Sequence, residues 1–531
     1  MDANCISYQQ TGYFSQTVID YLDDKPELRS FYSHRPDLDG FSQLLNAKKN
    51  TANRPVLADV LQKQYAPLQQ YSHIDTPLSR ISELLSPDTY TVTTGHQLNI
   101  FTGPLYFIYK IVTAIKLSRQ LKAAFPDKNF VPVYWMATED HDFAEINHTR
   151  VGNIKVEWQL SAAGATGRLA TKSIRQALNQ YKGVLGMEGF GPELAGLVET
   201  AYTSFNKLAD ATRYLVNALF GRYGLVIIDA DDHRLKQQFA PIMEQDITAQ
   251  HSFKNITATD KLLQAIGVHT QINPREINFF YLTDTLRERI VFEDNRYKVL
   301  NTEISFSVAE LKKEIAQYPE RFSPNVAMRP LYQEVILPNI AYIGGGAEVV
   351  YWLQLKSTFD HYQINFPVLL LRNSGLLASK EVSGRIARLG FKPHDIFLQA
   401  DELKNRWLAA HSQHDLHLTE EWRELEYVFE KIKQRAAKID ATLVPSTAAV
   451  QARLKHAMDN LEKKLLRAEK RNYATRLGQI DQVKAALFPG GSLQERTENF
   501  GLYYVKWGQA LIDELIRNFQ PLNFEFCILE E

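Results

Sequence analysis

The chain has 531 residues, of which 45% are hydrophobic and 23% charged; a globular chain of this length exceeds one hydrophobic core, so we expect two or three domains. Its 60 basic and 61 acidic residues give a formal net charge of −1, which excludes a global field favouring nucleic acid or a membrane surface. No apolar run approaches the roughly 18 residues that a membrane-spanning helix requires.

The ends of the chain indicate the compartment. The start, Met1-Asp2-Ala3-Asn4, lacks a basic stretch followed by an apolar one, so no signal peptide is predicted. The only two cysteines, Cys5 and Cys527, lie near opposite ends and give neither a disulfide framework nor a metal-ligand spacing. We therefore expect a reducing, cytoplasmic compartment and a reaction that uses no cysteine side chain.

Residues 1–89 have a helical pattern with many aromatic residues, and residues 90–148 form the unit around which the chain is organised. A β-branched strand there ends at Gly95-His96-Gln97, a helix with apolar residues three and four apart follows, and a second strand at 131–136 ends in polar residues. This order predicts a parallel βαβ unit. Because ligands bind at the carboxyl edge of an open parallel sheet, we expect the active site where these strands end.

The same α/β core continues to about residue 385 and contains two insertions. Further buried strands are predicted at 224–229, 341–343 and 368–371. Between them, residues 151–205 and 255–325 lose the alternation of strand and helix. In the second insertion, Ser307 followed by Glu310 is a capping-box signal for a helix.

Beyond residue 385 the pattern becomes helical. Apolar residues from Trp422 to Leu443 are spaced alternately three and four apart, Pro445-Ser446 interrupts them, and a second apolar stripe runs from Val450 to Ala468. This pattern predicts an antiparallel helical hairpin, a coiled-coil arm, within an all-helical domain at 386–515. The last segment, 516–531, is aromatic and strand-like and is predicted to pack back on the core.

The first candidate site lies at the end of the first core strand. Thr93-x-Gly95-His96 has the T-x-G-H form of nucleotidylyl-transferring enzymes with a Rossmann-like core, where glycine lets phosphates approach the backbone and histidine stabilises charge on the transferred group. The alternative is a plain strand-to-turn glycine beside a hydrogen-bonded histidine. His96 is a candidate catalytic residue, and the candidate substrate- or nucleotide-binding residues of this turn are Thr93, Gly95, Gln97, Gly103 and Tyr106.

The second candidate site follows the second core strand and is acidic. Because a carboxylate beside a histidine tunes its pKa towards neutrality, Glu139, Asp140 and His141 are candidate catalytic residues and Asp142 a candidate binding residue. The alternative is a solvated acidic turn that caps a helix. His141, Glu145 and His148 would share one helix face, but neither H-E-x-x-H nor a cysteine pair accompanies them, so no metal site is predicted.

The segment that closes the core carries weaker signals. Gly344, Gly345 and Gly346 follow a strand and form a candidate phosphate loop. They match neither G-x-x-x-x-G-K-S nor G-x-G-x-x-G, and three glycines are as often a plain turn. Arg329 is a candidate substrate-binding residue.

Five longer segments resemble one family. They are T-T-G-H-Q-L-N-I-F-T-G-P-L-Y-x-I-Y-K (93–110), V-Y-W-M-A-T-E-D-H-D-F-x-E-I-N-H (133–148), Y-G-L-V-I-I-D-A-D-D (223–232), A-Y-I-G-G-G-A-E-V-x-Y-W-L-Q-L-K (341–356) and L-F-P-G-G-S-L-Q-E-R (487–496). In length, order and spread they resemble the cysteine-adding enzymes of bacillithiol biosynthesis, the BshC family. The resemblance implies a Rossmann-like parallel-sheet core with two insertions, plus a C-terminal all-helical antiparallel coiled-coil domain used in dimerisation. It also implies the reaction that joins L-cysteine to glucosaminyl malate and gives bacillithiol, a low-molecular-weight thiol.

His96 departs from the resemblance, because many members carry glutamine at that position. This argues against an indispensable acid or base at His96 and gives more weight to Gln97 and the acidic cluster. For an amide-forming ligase the cysteine carboxylate must be activated, and ATP or a related nucleotide, with Mg²⁺, is the candidate cosubstrate. Glu139 or Asp140 would bind the cysteine ammonium or deprotonate the sugar amine, with His141 orienting the carboxylate.

Two other functions stay open from the sequence. One is a nucleotidyltransferase that acts on another small substrate, and the other is a non-catalytic coiled-coil scaffold whose core binds a metabolite. The expected partners are small molecules, L-cysteine and glucosaminyl malate, with no nucleic acid and no membrane. A homodimer through the coiled-coil arm is expected.

Overall fold

The structure is a computed structural model that describes residues 1–49, 52–71 and 73–531, and its contacts divide the chain into two units. The first unit comprises Met1, residues 3–376 and residues 492–529; the second comprises Asp2, residues 377–491 and residues 530–531. The core therefore ends nearer to 376 than to 385. The chain returns to it at Ser492 rather than at 516, because the helices after Ser492 pack within the first unit.

The beginning of the chain is mainly helical, as its pattern predicts. Phe41 and Leu44 are fully buried and pack against the core sheet beside Val92 and Val368. The elements are β1 (Asp2–Ser7), α1 (Tyr8–Thr11), α2 (Gln16–Leu22), α3 (Leu38–Ala47), α4 (Arg54–Tyr65) and α5 (Asp75–Glu83).

The predicted βαβ unit is present as β2 (Thr89–His96), α6 (Leu105–Ala124) and β3 (Asn129–Met136). The two strands pair in parallel over their whole length, so that their carboxyl ends lie side by side. Helix α6 is buried on nearly all sides and not along one stripe alone. Helices near the end of the chain cover the face that the sheet leaves free.

The first insertion begins after β3 and is followed by the next core strand. Its elements are α7 (Phe143–Ile146), β4 (His148–Val151), β5 (Ile154–Glu157), α8 (Arg175–Leu185) and α9 (Gly191–Ser204). Strands β4 and β5 form a two-stranded antiparallel sheet. The core resumes with α10 (Leu208–Phe220), β6 (Val226–Asp229) and α11 (His233–Ala249).

The second insertion is a small antiparallel sheet with two helices. Its elements are α12 (His251–Ala265), β7 (Phe279–Leu282), β8 (Arg287–Glu293), β9 (Arg296–Val299), β10 (Ser305–Phe306), α13 (Val308–Gln317) and β11 (Phe322–Pro324). The strand order is β10-β9-β8-β7-β11. The capping box predicted for α13 is confirmed, because Ser307 and Glu310 exchange both hydrogen bonds.

The core closes with α14 (Arg329–Ile336), β12 (Asn339–Gly344), α15 (Gly346–Leu353), α16 (Lys356–His361) and β13 (Val368–Leu371). The core sheet has the order β13-β12-β2-β3-β6, and all its pairings are parallel. The predicted α/β class with two insertions is confirmed. Since β2, β3 and β12 are central neighbours, the segments that follow them meet at one edge.

After β14 (Ser374–Ala378), the second unit is helical, with α17 (Lys380–Leu389), α18 (Ala400–His411), α19 (Thr419–Ile439), α20 (Leu443–Asn472) and α21 (Ala474–Leu487). Helices α19 and α20 form the predicted antiparallel hairpin. Its turn lies at residues 440–442, just before the break predicted at Pro445-Ser446. Pro445 fits within the first turn of α20, because the N–H groups there have no partner in the helix.

The chain finishes in the first unit with α22 (Gln494–Thr497), α23 (Gly501–Trp507), α24 (Ala510–Asn518) and β15 (Glu525–Glu530). Strand β15 lies between β1 and β14. The sequence predicts no disulfide, and this prediction is wrong: Cys5 on β1 and Cys527 on β15 form a disulfide bond. The pairing could not be predicted from sequence spacing, because the two cysteines lie near opposite ends of the chain and only folding brings those ends into one sheet. Among the described residues, no helix is long and apolar enough to cross a membrane.

Candidate active site

A cavity of 660 Å³ lies at the carboxyl edge of the core sheet, where the sequence predicts the active site. The ends of β2 and β3 form its floor, and the second insertion contributes a wall. Seven of the candidate residues line it: Gly95, His96, Gln97, Tyr106, Glu139, Asp140 and Arg329. Seven others do not: Thr93, Gly103, His141, Asp142, Gly344, Gly345 and Gly346.

The end of β2 presents an open space and a neutral histidine. A methyl group on Gly95 would lie 3.5 Å from the Tyr342 hydroxyl and 3.7 Å from Nη1 of Arg329, so the glycine keeps this corner of the cavity free. The buried Nε2 of His96 has no hydrogen-bond partner. Burial, reinforced by Lys110, lowers the pKa of His96 to about 3. The ring is therefore neutral at physiological pH and offers a hydrogen bond, not a charge.

Two other residues of this turn have structural roles. Thr93 is fully buried within the sheet, two residues before Gly95, and donates from Oγ1 to Oδ1 of Asn339 at 2.8 Å. Gly103 has a φ of +62°, and a methyl group there would lie 2.6 Å from Cβ of Asn99, so the turn itself requires glycine.

Lys110 is a cavity residue that the sequence alone did not single out. Its Nζ lies 2.5 Å from Oε2 of Glu348 and donates to the Gly95 carbonyl at 2.9 Å. Burial opposes the charge on Glu348, yet Lys110 and the Gly345 N–H together hold the pKa of that carboxyl below its usual value. The signal in the sequence was a lysine within the mostly apolar first half of helix α6, one turn after Tyr106.

One of the three glycines, Gly345, contacts this ion pair. The Gly345 N–H donates to Oε2 of Glu348 at 2.8 Å, and the Tyr342 hydroxyl donates to Oε1 at 2.7 Å. A backbone N–H that would cradle a phosphate is thus occupied by the protein's own carboxylate. Gly344 and Gly346 flank the same helix start.

The acidic turn after β3 divides into two roles. Glu139 is 9% exposed and ion-paired with Lys236, whose Nζ also donates to the Phe322 carbonyl at 2.8 Å. Burial raises the pKa of Glu139, and Lys236 opposes that rise. Asp140 accepts a hydrogen bond from Nε2 of Gln97 at 2.6 Å, so the turns after β2 and β3 are joined at the cavity.

His141 and Asp142 lie just outside. Nη1 of Arg287 donates to Nδ1 of His141 at 2.6 Å, which makes that nitrogen an acceptor. The same nitrogen is 3.8 Å from Oδ1 of Asp140, too far for a hydrogen bond. Asp142 caps helix α7 by accepting from the Glu145 N–H at 3.4 Å, which is the helix-capping alternative.

Arginines supply most of the positive charge in the cavity. Nη1 of Arg329 donates to Gln333 at 3.1 Å, and its Nη2 is buried without an acceptor at hydrogen-bonding distance. Arg287 is held over the Phe280 ring and donates to Ser323 at 3.1 Å. The second insertion adds Arg275 and Arg289. No local pattern assigns the insertion's arginines to the site, because they reach it only when their sheet folds over the core edge.

The cavity lining carries groups of both charges. Glu139 and Asp140 offer carboxylates to a cationic amine, whereas Lys110, Arg329 and the insertion's arginines offer donors to carboxylates or phosphates. A ligand with both an amine and several anionic groups fits this distribution. Among the described residues, no group of three or more His, Cys, Asp or Glu side chains is placed to hold a metal ion.

Comparison with known proteins agrees over the full length. Residues 1–373 match the family described as the N-terminal Rossmann-like domain of bacillithiol biosynthesis BshC, and residues 375–531 match its C-terminal coiled-coil domain. Relatives that bear the provisional name cysteine ligase BshC are 43% identical in Flavobacterium johnsoniae, covering 100% of both chains, and 40% identical in Christiangramia forsetii, covering 100% of this chain and 99% of that one.

Similarity to solved structures is much weaker. A methionyl-tRNA synthetase of Mycobacterium tuberculosis bound by methionyl-adenylate is 11% identical and covers 81% of this chain and 92% of that chain, with a TM-score of 0.19. A score at that level supports no conclusion. The family matches, which together span nearly every residue, carry the assignment: this chain belongs to the BshC family of bacillithiol biosynthesis.

Proposed function

We propose that this protein is a ligase that joins the carboxyl group of L-cysteine to the amino group of glucosaminyl malate through an amide bond. The observation that supports this most directly is the mixed charge of the cavity lining, which combines the carboxylates of Glu139 and Asp140 with the cationic groups of Lys110, Arg329, Arg275 and Arg289. Glucosaminyl malate carries one amine and two carboxylates, and cysteine carries one of each. The cavity has groups of the opposite charge for all of them.

The carboxylate of cysteine needs activation, because it is a poor acyl donor. We propose that ATP supplies it: the carboxylate attacks a phosphoryl group, and either pyrophosphate or ADP leaves. The amine then attacks the acyl carbon and expels AMP or phosphate. Lys110, with its Nζ 2.9 Å from the Gly95 carbonyl, and Arg329, with one free donor, would stabilise the charge that develops on the activated group. Mg²⁺ would enter bound to the nucleotide.

The two cavity carboxylates would divide the work on the amines. Asp140 is fixed by Gln97 and would hold the ammonium of cysteine. Glu139 would accept the proton of the attacking sugar amine, because its burial favours the protonated form. His141 would act only through Arg287, by accepting its hydrogen bond and keeping that guanidinium at the cavity wall.

The test uses purified full-length protein with glucosaminyl malate and L-cysteine, with and without ATP and Mg²⁺. Mass spectrometry would follow the condensed thiol, and the nucleotide product would distinguish adenylation, which releases AMP, from acyl phosphate formation, which releases ADP. Glu139→Gln should abolish condensation. Glu157→Gln, which alters an exposed carboxylate outside the cavity, is the matched control. Nucleotidyl transfer without condensation would favour a nucleotidyltransferase that acts on another substrate. Metabolite binding without turnover would favour a non-catalytic scaffold.

We also propose that the coiled-coil arm dimerises. Apolar side chains of the hairpin remain exposed in the single chain: Tyr427 by 63%, Ile432 by 44%, Ile439 by 78%, Val450 by 48% and Leu461 by 50%. An apolar row on a two-helix hairpin needs a further helical surface to cover it. A monomeric sedimentation mass at micromolar concentration would contradict the proposal.

A further inference from the structure

The two cysteines of this chain are its only two, and 522 residues separate them in sequence. Folding nevertheless places them on neighbouring strands and bonds their Sγ atoms. Strand β1, which carries Cys5, lies at the edge of its sheet, and β15, which carries Cys527, lies in the middle. The bond therefore fastens an edge strand to the first unit.

The two sulfurs differ in access. Cys527 is 3% exposed and lies between the buried Phe526 and Ile528. Cys5 is only partly buried, on a strand whose other residues are mostly exposed. A thiolate in solution can therefore reach the sulfur of Cys5 more readily than that of Cys527.

We propose that Cys5–Cys527 is a reversible thiol–disulfide exchange site whose reaction partner is a low-molecular-weight thiol. The incoming thiolate attacks Sγ of Cys5, a mixed disulfide forms on Cys5, and the electron pair of the broken bond leaves with Cys527 as a thiolate. Attack by Cys527 on Cys5 then expels the small thiol and restores the bond. Alternatively, a second small thiol takes the first off as a symmetrical disulfide and leaves both cysteines reduced.

Contacts lead from this sheet to the cavity. Tyr8 directly follows β1, and its hydroxyl donates to the Arg372 carbonyl at 3.2 Å. Arg372 pairs with the fully buried Glu495 at 2.7 Å and lies over the ring of Tyr106, which lines the cavity. Loosening β1 would free Tyr8 from this chain of contacts. Under the proposed function, the product of the reaction is itself a low-molecular-weight thiol that could react with this disulfide. Only this connection between product and disulfide rests on the proposed function; the exchange chemistry does not.

The sheet is built tightly around the bond. A methyl group on Gly375 of β14 would lie 2.7 Å from the Cys527 carbonyl oxygen, so β14 approaches β15 at this residue more closely than a side chain would allow. Cys527 is thus held in place by β14 on one side of β15, whereas β1 pairs in the sheet with β15 alone. Release of the bond should therefore mobilise β1 and leave β15 in place.

The experiment equilibrates the full-length protein with mixtures of reduced and oxidised glutathione, quenches with acid, alkylates free thiols and measures intact mass and peptides. We expect a cross-linked peptide containing Cys5 and Cys527 at oxidising ratios, its loss at reducing ratios, and glutathione adducts about tenfold more abundant on Cys5 than on Cys527. Cys527→Ser should accumulate the Cys5 adduct. In Cys5→Ser the buried Cys527 should resist both adduct and alkylation.

Three results would overturn the proposal: a cross-link that survives excess reduced glutathione, no cross-link at the most oxidising ratio, or adducts mainly on Cys527. Limited proteolysis gives a second readout that does not require activity. Residues 1–7 should be cleaved faster in the reduced protein, and the double variant Cys5→Ser/Cys527→Ser should match the reduced protein. Equal cleavage of the oxidised and reduced forms would contradict the loosening of β1.

Discussion

Replacement of Lys236 by methionine tests the buried ion pair behind the cavity. Lys236 has no exposed surface, and its Nζ has two acceptors, the Glu139 carboxylate and the Phe322 carbonyl. Methionine preserves much of the volume but removes the charge. Glu139 is left as a buried carboxylate without its partner, and breaking a buried pair in this way costs about 3–5 kcal/mol of folding free energy.

The cost depends on pH with a definite sign. Burial raises the pKa of Glu139 even with Lys236 present, and loss of Lys236 raises it further. A carboxyl with a raised pKa in the folded state favours folding fully below its unfolded pKa, and this contribution disappears as pH rises through the folded value. The destabilisation of Lys236→Met should therefore be larger at about pH 8 than at about pH 5, because a lower pH favours the protonated form of Glu139.

The assay is urea denaturation followed by tryptophan fluorescence at both pH values. Glu139→Gln and the double variant complete a double-mutant cycle, in which the double variant should be more stable than the sum of the single losses predicts. Lys155→Met removes an exposed pair with Glu157 and should change stability by less than about 1 kcal/mol. A loss from Lys236→Met that is equally large at both pH values, or below about 1 kcal/mol at the higher one, would refute the reasoning.

Four further predictions concern the cavity and the arm. His96→Gln should leave the pH profile of turnover unchanged between about pH 6 and 8, because the ring is already neutral there; a lost titration step would contradict this. Lys110→Met should lower kcat/KM by about a hundredfold or more, with thermal stability measured alongside to separate folding from chemistry. Gly95→Ala should fold normally, since its methyl contacts are ordinary, yet raise KM by filling the cavity corner. Ile439→Glu should yield a lighter particle in sedimentation, whereas an exposed Lys438→Glu should not.

The sheet and its site edge were predictable because short-range pattern determines them. The β-branched run that ends at His96 and the strand that ends at Met136 each signal a buried strand, and the parallel order places their ends together. The acidic turn follows directly. Its first two carboxylates, Glu139 and Asp140, line the cavity as expected.

What the sequence did not reveal depends on contacts between distant segments. Arg287 reaches His141 across 146 positions, and Glu495 reaches Arg372 across 123. Periodicity indicates which side of an element is buried but not which segment covers it. The glycines at 344–346 illustrate the same limit, since Glu348 accepts a hydrogen bond from the Gly345 N–H and turns a candidate phosphate loop into a helix cap.

The division of the first unit into two stretches of sequence sets an order for synthesis. Arg372 is synthesised before the helical unit at 377–491, and its ion-pair partner Glu495 is synthesised after that unit, more than a hundred residues later. At cellular elongation rates that interval is on the order of ten seconds. Throughout it the guanidinium lacks the carboxylate that permits its burial, so the nascent core stays open at β14 until the arm has been made. A ribosome stalled within the arm would therefore present an incomplete core to proteases and chaperones.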